Sequence, residues 1–269
     1  MAKSTPMEQL KDAAQLPDTK WGKMLGATPV IMTVVATLLA GLASSEMTKA
    51  QYERAYAAQL QSRAGDQWAF FQAKRLRGEM QRNTLDLLSL QAAAAGANTG
   101  EDAPPAPPAP EAAPEVTAAL QAVRADAAPE VIAPLLFNLK DDVLTSAQKA
   151  AKEHAAAYDA LTAPLLKQIE AGGSALARLR FNATRYDQEA QLNAGIARLY
   201  ELQVRKANVK AERHHLRSQR FFFGMLAAQM GVIISTLAMA AKKRNLLWSL
   251  AAGAGLIAIV FAVYVYLYV

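Results

Sequence analysis

The chain has 269 residues, 52% of them hydrophobic, a formal net charge of +6 and no cysteine. The absence of cysteine excludes disulfides, thiolate metal cages, iron–sulfur sites and cysteine nucleophiles. The apolar residues are concentrated at the two ends of the chain, which predicts membrane spans. The basic residues crowd beside these apolar runs, where lipid head groups and membrane topology explain them better than nucleic acid does.

The N-terminal region predicts one membrane anchor. A polar segment occupies residues 1–23, and an uncharged run of about twenty residues follows at 24–43. At about 1.5 Å per residue this run is long enough to cross a hydrocarbon core of about 30 Å. A cleaved signal peptide is the alternative, because Gly41-Leu42-Ala43 resembles a small-residue cleavage site. The acidic residues of the preceding segment favour a retained anchor.

Two long segments outside the spans predict a paired helical stalk. Residues 44–95 contain no proline and predict a helix that continues out of the first span, and residues 174–220 have the same character and lead into the second. The returning segment carries a heptad seam of Leu176, Leu179, Ala183, Tyr186, Ala190, Asn193, Ala197, Tyr200 and Val204. The two helices can therefore bury their apolar stripes by pairing antiparallel.

An aromatic segment in the outgoing helix has two interpretations. It packs on the returning helix, with Trp68 and Phe71 inward and Lys74 outward, or it is a docking surface for another protein. Packing is the favoured interpretation. The residues concerned in either case are Asp66, Trp68, Phe71, Lys74 and Arg75.

The middle of the chain changes composition sharply. Residues 96–114 are rich in glycine, alanine and proline, which predicts a flexible or polyproline linker. Residues 115–173 then predict short distal helices at the far end of the stalk. Proline and glycine are expected to break these helices, at Pro129, Pro134, Pro164 and Gly172-Gly173.

The C-terminal region predicts a transmembrane hairpin. Residues 221–241 and 246–269 are uncharged runs that only a basic turn, 242–245, separates. Gln229 is the most polar mid-span side chain and is expected to make an interhelical hydrogen bond. The small residues expected to allow close packing of the spans are Gly22, Gly26, Gly224, Gly231, Gly253 and Gly255.

The basic residues give opposing signals about orientation. Lys242, Lys243 and Arg244 in the short turn place the turn and the N-terminus in the cytoplasm and the large central region in the periplasm. Arg217 and Arg220, just before the second span, favour the opposite. The short turn carries more weight because long domains are translocated despite their charge. All five residues are expected to lie near lipid head groups.

The sequence gives no positive sign of catalysis. It has no Walker loop, GxGxxG, GxSxG or HExxH motif. The histidines His154, His214 and His215 lack the i, i+4 spacing of helical zinc ligands. No catalytic residue, metal, cofactor, nucleic acid or small-molecule substrate is therefore expected.

Both ends of the chain resemble one family. The stretch GDQWAFFQAK at 65–74, the Arg220-Phe221 junction, the span containing Gln229, the basic turn 242–245 and Leu247-Trp248 resemble the bacterial membrane proteins grouped as domain of unknown function 4337. The resemblance implies this membrane architecture and implies no activity.

Together these patterns predict an all-α membrane protein with three transmembrane helices, a long antiparallel, coiled-coil-like stalk and a small helical distal region. The expected function is a non-catalytic scaffold or accessory subunit in the bacterial inner membrane, associated with lipids and with other membrane subunits or copies of itself. The alternative is a homo-oligomeric channel or transport component with Gln229, Ser235 and Thr236 lining its axis. An enzyme acting on lipid or cell-wall material would need a pocket with convergent polar groups.

Overall fold

A computed structural model describes residues 20–94, 103–108, 111–240 and 244–268. These residues contain no strand and form helices α1 (Lys20–Ala94), α2 (Pro114–Arg124), α3 (Pro129–Asn138), α4 (Asp141–Gly172), α5 (Ala175–Ala240) and α6 (Arg244–Tyr268). Helices α1, α5 and α6 are long and apolar enough to cross a membrane. The predicted all-α fold with three candidate spans is confirmed.

Two of the helices run through more than one predicted segment. α1 joins the first candidate span to the outgoing helix without a break, although Pro29 lies inside it. α5 likewise joins the returning helix to the second span. Contacts divide the chain into a terminal unit, residues 1–52 and 210–269, and a central unit, residues 53–209. Both long helices contribute to each unit.

The terminal unit packs α1, α5 and α6 through small side chains. The Trp248 indole donates a hydrogen bond to the Thr28 hydroxyl, 3.1 Å away, which ties α6 to α1. Large apolar side chains such as Leu38 and Leu256 lie on the outside, as a lipid-facing surface requires. The core consists of Ala36, Leu39, Ala43, Phe221, Ala228, Ala258 and Val265.

In the central unit α1 and α5 pair antiparallel. Lys74 pairs with Glu189 and Arg82 with Asp187, so that residue numbers rise along one helix as they fall along the other. The predicted antiparallel pairing is confirmed. The core between the helices consists of Ala57, Leu60, Ala64, Ile196, Tyr200, Val204 and Ala207. Two of these residues, Tyr200 and Val204, belong to the predicted heptad seam.

The short helices form a second core against α5, and two of the predicted breaks are wrong. Pro129 begins α3, where a missing N–H costs nothing. Pro134 and Pro164 lie inside α3 and α4. An interior proline removes one main-chain hydrogen bond, and the remaining bonds and the packing of the helix hold it together across the defect. The core consists of Val116, Ala119, Ile132, Leu136, Leu139, Leu144, Leu199 and Leu202.

Part of the predicted linker is held against α4. This proline strap comprises residues 103–108, and its Ala103 is buried. The Tyr158 hydroxyl donates a hydrogen bond to the Pro104 carbonyl oxygen over 3.3 Å. His154 Nε2 lies 2.7 Å from the Pro107 carbonyl oxygen. Since His154 and Tyr158 are one helical turn apart, the strap lies along one face of α4.

Candidate functional site

The aromatic segment of α1 lies against α5. The Trp68 indole donates a hydrogen bond to Glu201 over 2.7 Å. Its ring meets that of Phe71 edge to face, with centroids 5.3 Å apart. Both aromatic side chains are half-buried, as the packing interpretation expects, whereas Asp66 and Arg75 are exposed.

Lys74 lies between the helices, so the expectation that it points outward is wrong. Its ammonium group pairs with Glu189, whose side chain is only 8% exposed, and lies 5.4 Å from the centre of the Tyr186 ring. Arg185 Nε lies 3.4 Å from the other carboxylate oxygen of Glu189. A buried carboxylate is costly without cations, which is why Lys74 turns inward.

A cavity of about 270 Å³ lies beside this ion pair, and its lining includes Lys74, Glu189, Asp159 and Asn193. Burial and the charge of Glu189 raise the pKa of Asp159, against the opposing effect of Lys74. Burial likewise raises the pKa of Tyr158 to about 12, so its hydroxyl stays protonated and donates to the proline strap. These shifts favour the protonated forms of Asp159 and Tyr158.

The terminal unit contains a second charged cluster that sequence reasoning missed. His214 Nδ1 lies 2.6 Å from Glu46 Oε2, and Lys49 lies 2.7 Å from Glu46 Oε1. The Ser218 hydroxyl donates to the Ala43 carbonyl oxygen over 2.7 Å. The available signal was position: Glu46 is the first acidic residue after the first span, three residues beyond it, and His214 lies seven residues before the second span.

The basic residues expected at the head groups differ in their surroundings. Arg217 is half-buried, and its Nε has no hydrogen-bond partner among the described residues. Burial and the charge of Arg217 lower the pKa of Arg213. Arg220 is also half-buried. Lys242 and Lys243 lie outside the described residues, and Arg244 begins α6.

The predicted glycines of the spans fall into two groups. A Cβ at Gly231 would lie 3.5 Å from the Ala251 carbonyl oxygen, and one at Gly224 would lie 3.4 Å from Leu39. A Cβ at Gly255 would overlap the Met32 side chain. Gly26 is half-buried, and Gly22 lies in α1 where only the backbone is described. In contrast, a Cβ at Gly253 would meet nothing within 4 Å.

The polar side chains of the second span point in different directions. Gln229 is exposed, and no described residue of the chain hydrogen-bonds to it, so the expected interhelical bond is not made within one chain. Thr236, two turns further along, is also exposed and donates to the Ile233 carbonyl oxygen. Ser235 is buried inside the terminal unit and donates to the Val232 carbonyl oxygen.

Comparison with family models connects the aromatic segment to a known family. Residues 21–128 match a domain of unknown function (DUF4337). This DUF4337 region includes all of the first candidate span, the aromatic segment and α2, so the resemblance predicted from the sequence is confirmed there. The resemblance at the C-terminal end lies outside the matched residues. Comparisons with curated proteins and with solved structures found no match.

Proposed function

We propose that the protein is a non-catalytic, membrane-anchored accessory subunit or scaffold, which joins a larger bacterial membrane assembly through the outer face of α5. The observation that carries this proposal is the exposure of Gln229. This residue lies eight positions beyond Phe221, or about 12 Å along the helix, which is near the middle of a span of about 30 Å.

An exposed amide at that depth needs a partner. Hydrocarbon offers no hydrogen bonds, and an amide without a partner there costs about 4–8 kcal/mol relative to water. A hydrogen bond to a polar side chain of another transmembrane helix offsets part of that cost, by about 1–2 kcal/mol, so glutamine can form a specific contact between membrane helices. The neighbouring side chains Leu226 and Ile233 are exposed and apolar, so they can pack on the same partner.

The partner proposed is a different membrane protein. A homo-oligomeric channel lined by Gln229, Ser235 and Thr236 is less well supported, because Ser235 points into the chain's own terminal unit while the other two point outward. Self-association through Gln229 alone is therefore an outcome of the test below. The lack of catalytic motifs in the sequence supports a non-catalytic role.

Photocrosslinking at position 229 tests the proposal. A photoreactive residue replaces Gln229 in the full chain at native expression, and the masses of the adducts are determined after mild-detergent extraction. The expected result is one adduct with a second membrane protein, which also co-elutes with the wild-type chain. Leu256, exposed on α6, is the control position and should give lipid adducts only.

Two outcomes would overturn this assignment. An adduct of twice the chain's own mass would show that the chain binds a copy of itself, and the protein would then be a self-assembled scaffold or pore and not an accessory subunit. The same adducts at positions 229 and 256 would show that Gln229 does not lie in a specific interface. Gln229→Leu should abolish co-elution, whereas Met230→Leu, a substitution at the exposed neighbour, should preserve it.

The proposal includes an orientation in the bacterial inner membrane, with the N-terminus and the 242–245 turn in the cytoplasm and the central unit in the periplasm. The basic turn supports it through the positive-inside rule. Because the chain has no cysteine, a single cysteine at the exposed position Thr145 reports the location of the central unit. An impermeant maleimide is expected to label this cysteine in intact cells. Labelling only after lysis would mean that the central unit lies in the cytoplasm.

A further inference from the structure

A second cavity, of about 230 Å³, lies in the central unit between α2, α4 and α5. Its walls are mostly apolar. α4 contributes three alanines within one turn, and α5 contributes two leucines. The apolar lining includes Leu120, Ala147, Ala150, Ala151, Leu192 and Leu199. Walls that are mostly apolar favour a hydrocarbon group over water.

Gly195 opens the α5 side of this cavity. It lies one turn from both Leu192 and Leu199, and a Cβ added to it would meet no atom within 4 Å. Glycine inside a helix costs about 1 kcal/mol relative to alanine. Here the missing side chain leaves a recess between two leucines, and the recess belongs to the cavity.

The edge of the cavity is positively charged. Arg124 at the end of α2 and Arg198, one turn after Gly195, both line it, against a single carboxylate from Glu111. Both arginine side chains are exposed, and no described carboxylate forms an ion pair with either. His154 also lines the cavity, and its contact with Pro107 holds the ring in place.

We propose that this cavity binds a small amphiphilic carboxylate. The hydrocarbon chain occupies the recess at Gly195, and the carboxylate meets the guanidinium groups of Arg198 and Arg124, whose planar forks match its two oxygens. The volume is below the range of about 300–1,000 Å³ of drug-sized sites, which limits the ligand to a short hydrocarbon chain. This site is independent of the proposed interface at Gln229, and no sequence pattern predicts it.

Calorimetric titration with octanoate tests the proposal. The full chain is placed in lipid nanodiscs, since detergents are themselves amphiphiles, and the heat from empty nanodiscs is subtracted. Saturable binding of one octanoate per chain is expected, with neutral octanol at least tenfold weaker. Equal affinity for octanol would show that the cavity does not recognise a carboxylate. The absence of a saturable heat of binding would show that the cavity does not bind such a ligand.

Matched variants locate the binding. Gly195→Leu fills the recess and should weaken octanoate binding at least tenfold. Gly65→Leu is the control, because Gly65 is also a helical glycine with open space around its Cα and lies outside the cavity. Arg198→Gln should weaken binding several-fold and reduce its dependence on salt. Wild-type affinity in both Gly195→Leu and Arg198→Gln would place the ligand elsewhere. Far-ultraviolet circular dichroism shows that each variant is folded.

Discussion

His214 Nδ1 of α5 lies 2.6 Å from Glu46 Oε2 of α1, across 168 residues of sequence. Glu46 is only 8% exposed and also accepts a hydrogen bond from Lys49. The terminal unit therefore contains a buried carboxylate between two basic groups, at the end of the first candidate span. Such a carboxylate is stabilised only while its partners remain in place.

This contact predicts a loss of stability in acid. Burial alone raises the pKa of Glu46, but the hydrogen bonds and charges of Lys49 and His214 outweigh it and lower the pKa below its ordinary value of 4.5. The unfolded chain therefore takes up this proton first. The stabilisation is complete above about pH 4.5 and is lost as the pH falls through the folded-state pKa.

The test compares melting temperatures in nanodiscs from pH 7 to pH 3. Glu46→Gln should melt lower than wild type at pH 7, by the equivalent of about 1–3 kcal/mol, and the gap should close in acid. Glu130→Gln makes the same charge change at an exposed side chain and should follow the wild type. A gap that is constant with pH would mean that the pKa of Glu46 is the same in the folded and the unfolded chain.

We expect the hydrogen bond between Trp68 and Glu201 to stabilise the pairing of α1 and α5. Trp68→Phe keeps a ring beside Phe71 and removes the indole N–H, so we expect a loss of about 1–2 kcal/mol. Denaturant unfolding followed by circular dichroism measures it. A double-mutant cycle with Glu201→Met, which has no carboxylate to accept the indole N–H, isolates the pair, and Phe70→Leu, at an exposed ring, should change little. Additive effects of Trp68→Phe and Glu201→Met would show that the pair is not coupled.

The contacts of Lys206 indicate that this residue stabilises the junction between α3 and α4. Its side chain is 5% exposed, and its ammonium group donates to the Leu139 carbonyl oxygen and lies 2.5 Å from Asp141. Lys206→Met keeps the apolar part of the side chain and leaves that carbonyl oxygen without its donor, at a cost of about 1–3 kcal/mol. Hydrogen exchange should accelerate first in the opening turn of α4.

The control for this prediction is Lys149→Met, because the Lys149 side chain is 77% exposed and its pairing with Glu153 contributes little. It should leave exchange in α4 unchanged. If Lys206→Met unfolds the whole central unit at once, with no earlier change in α4, the lysine supports the core as a whole and not the junction.

The helices could be predicted from the sequence because the signals for them are local. A proline-free run after the first span gives α1, and the seam through Ala183, Ala190 and Ala197 gives the face of α5 that is buried. Both depend on residues within a few turns of one another. The direction of the Lys74 side chain is not predictable in this way, because it depends on Glu189, a buried acid 115 residues away.

The candidate sites were less predictable for the same reason. The proline strap has no periodicity of its own, and its partners Tyr158 and His154 lie about fifty residues further along the chain. The cavity at Gly195 exists only because three separate helices meet there. Composition identifies a segment that cannot form a helix, and it does not identify the surface against which that segment packs.

Two glycines of the candidate spans predict opposite responses to the same substitution. A Cβ at Gly231 would lie 3.5 Å from the Ala251 carbonyl oxygen, so α5 and α6 are close there, whereas Gly253 faces open space. Gly231→Leu should force these helices apart at a cost of about 1–3 kcal/mol. Gly253→Leu adds an apolar side chain on the outer face and should not lower stability. Thermal unfolding in nanodiscs measures the stability of both variants. Equal losses of stability would show that Gly231 is not required for the close approach of α5 to α6.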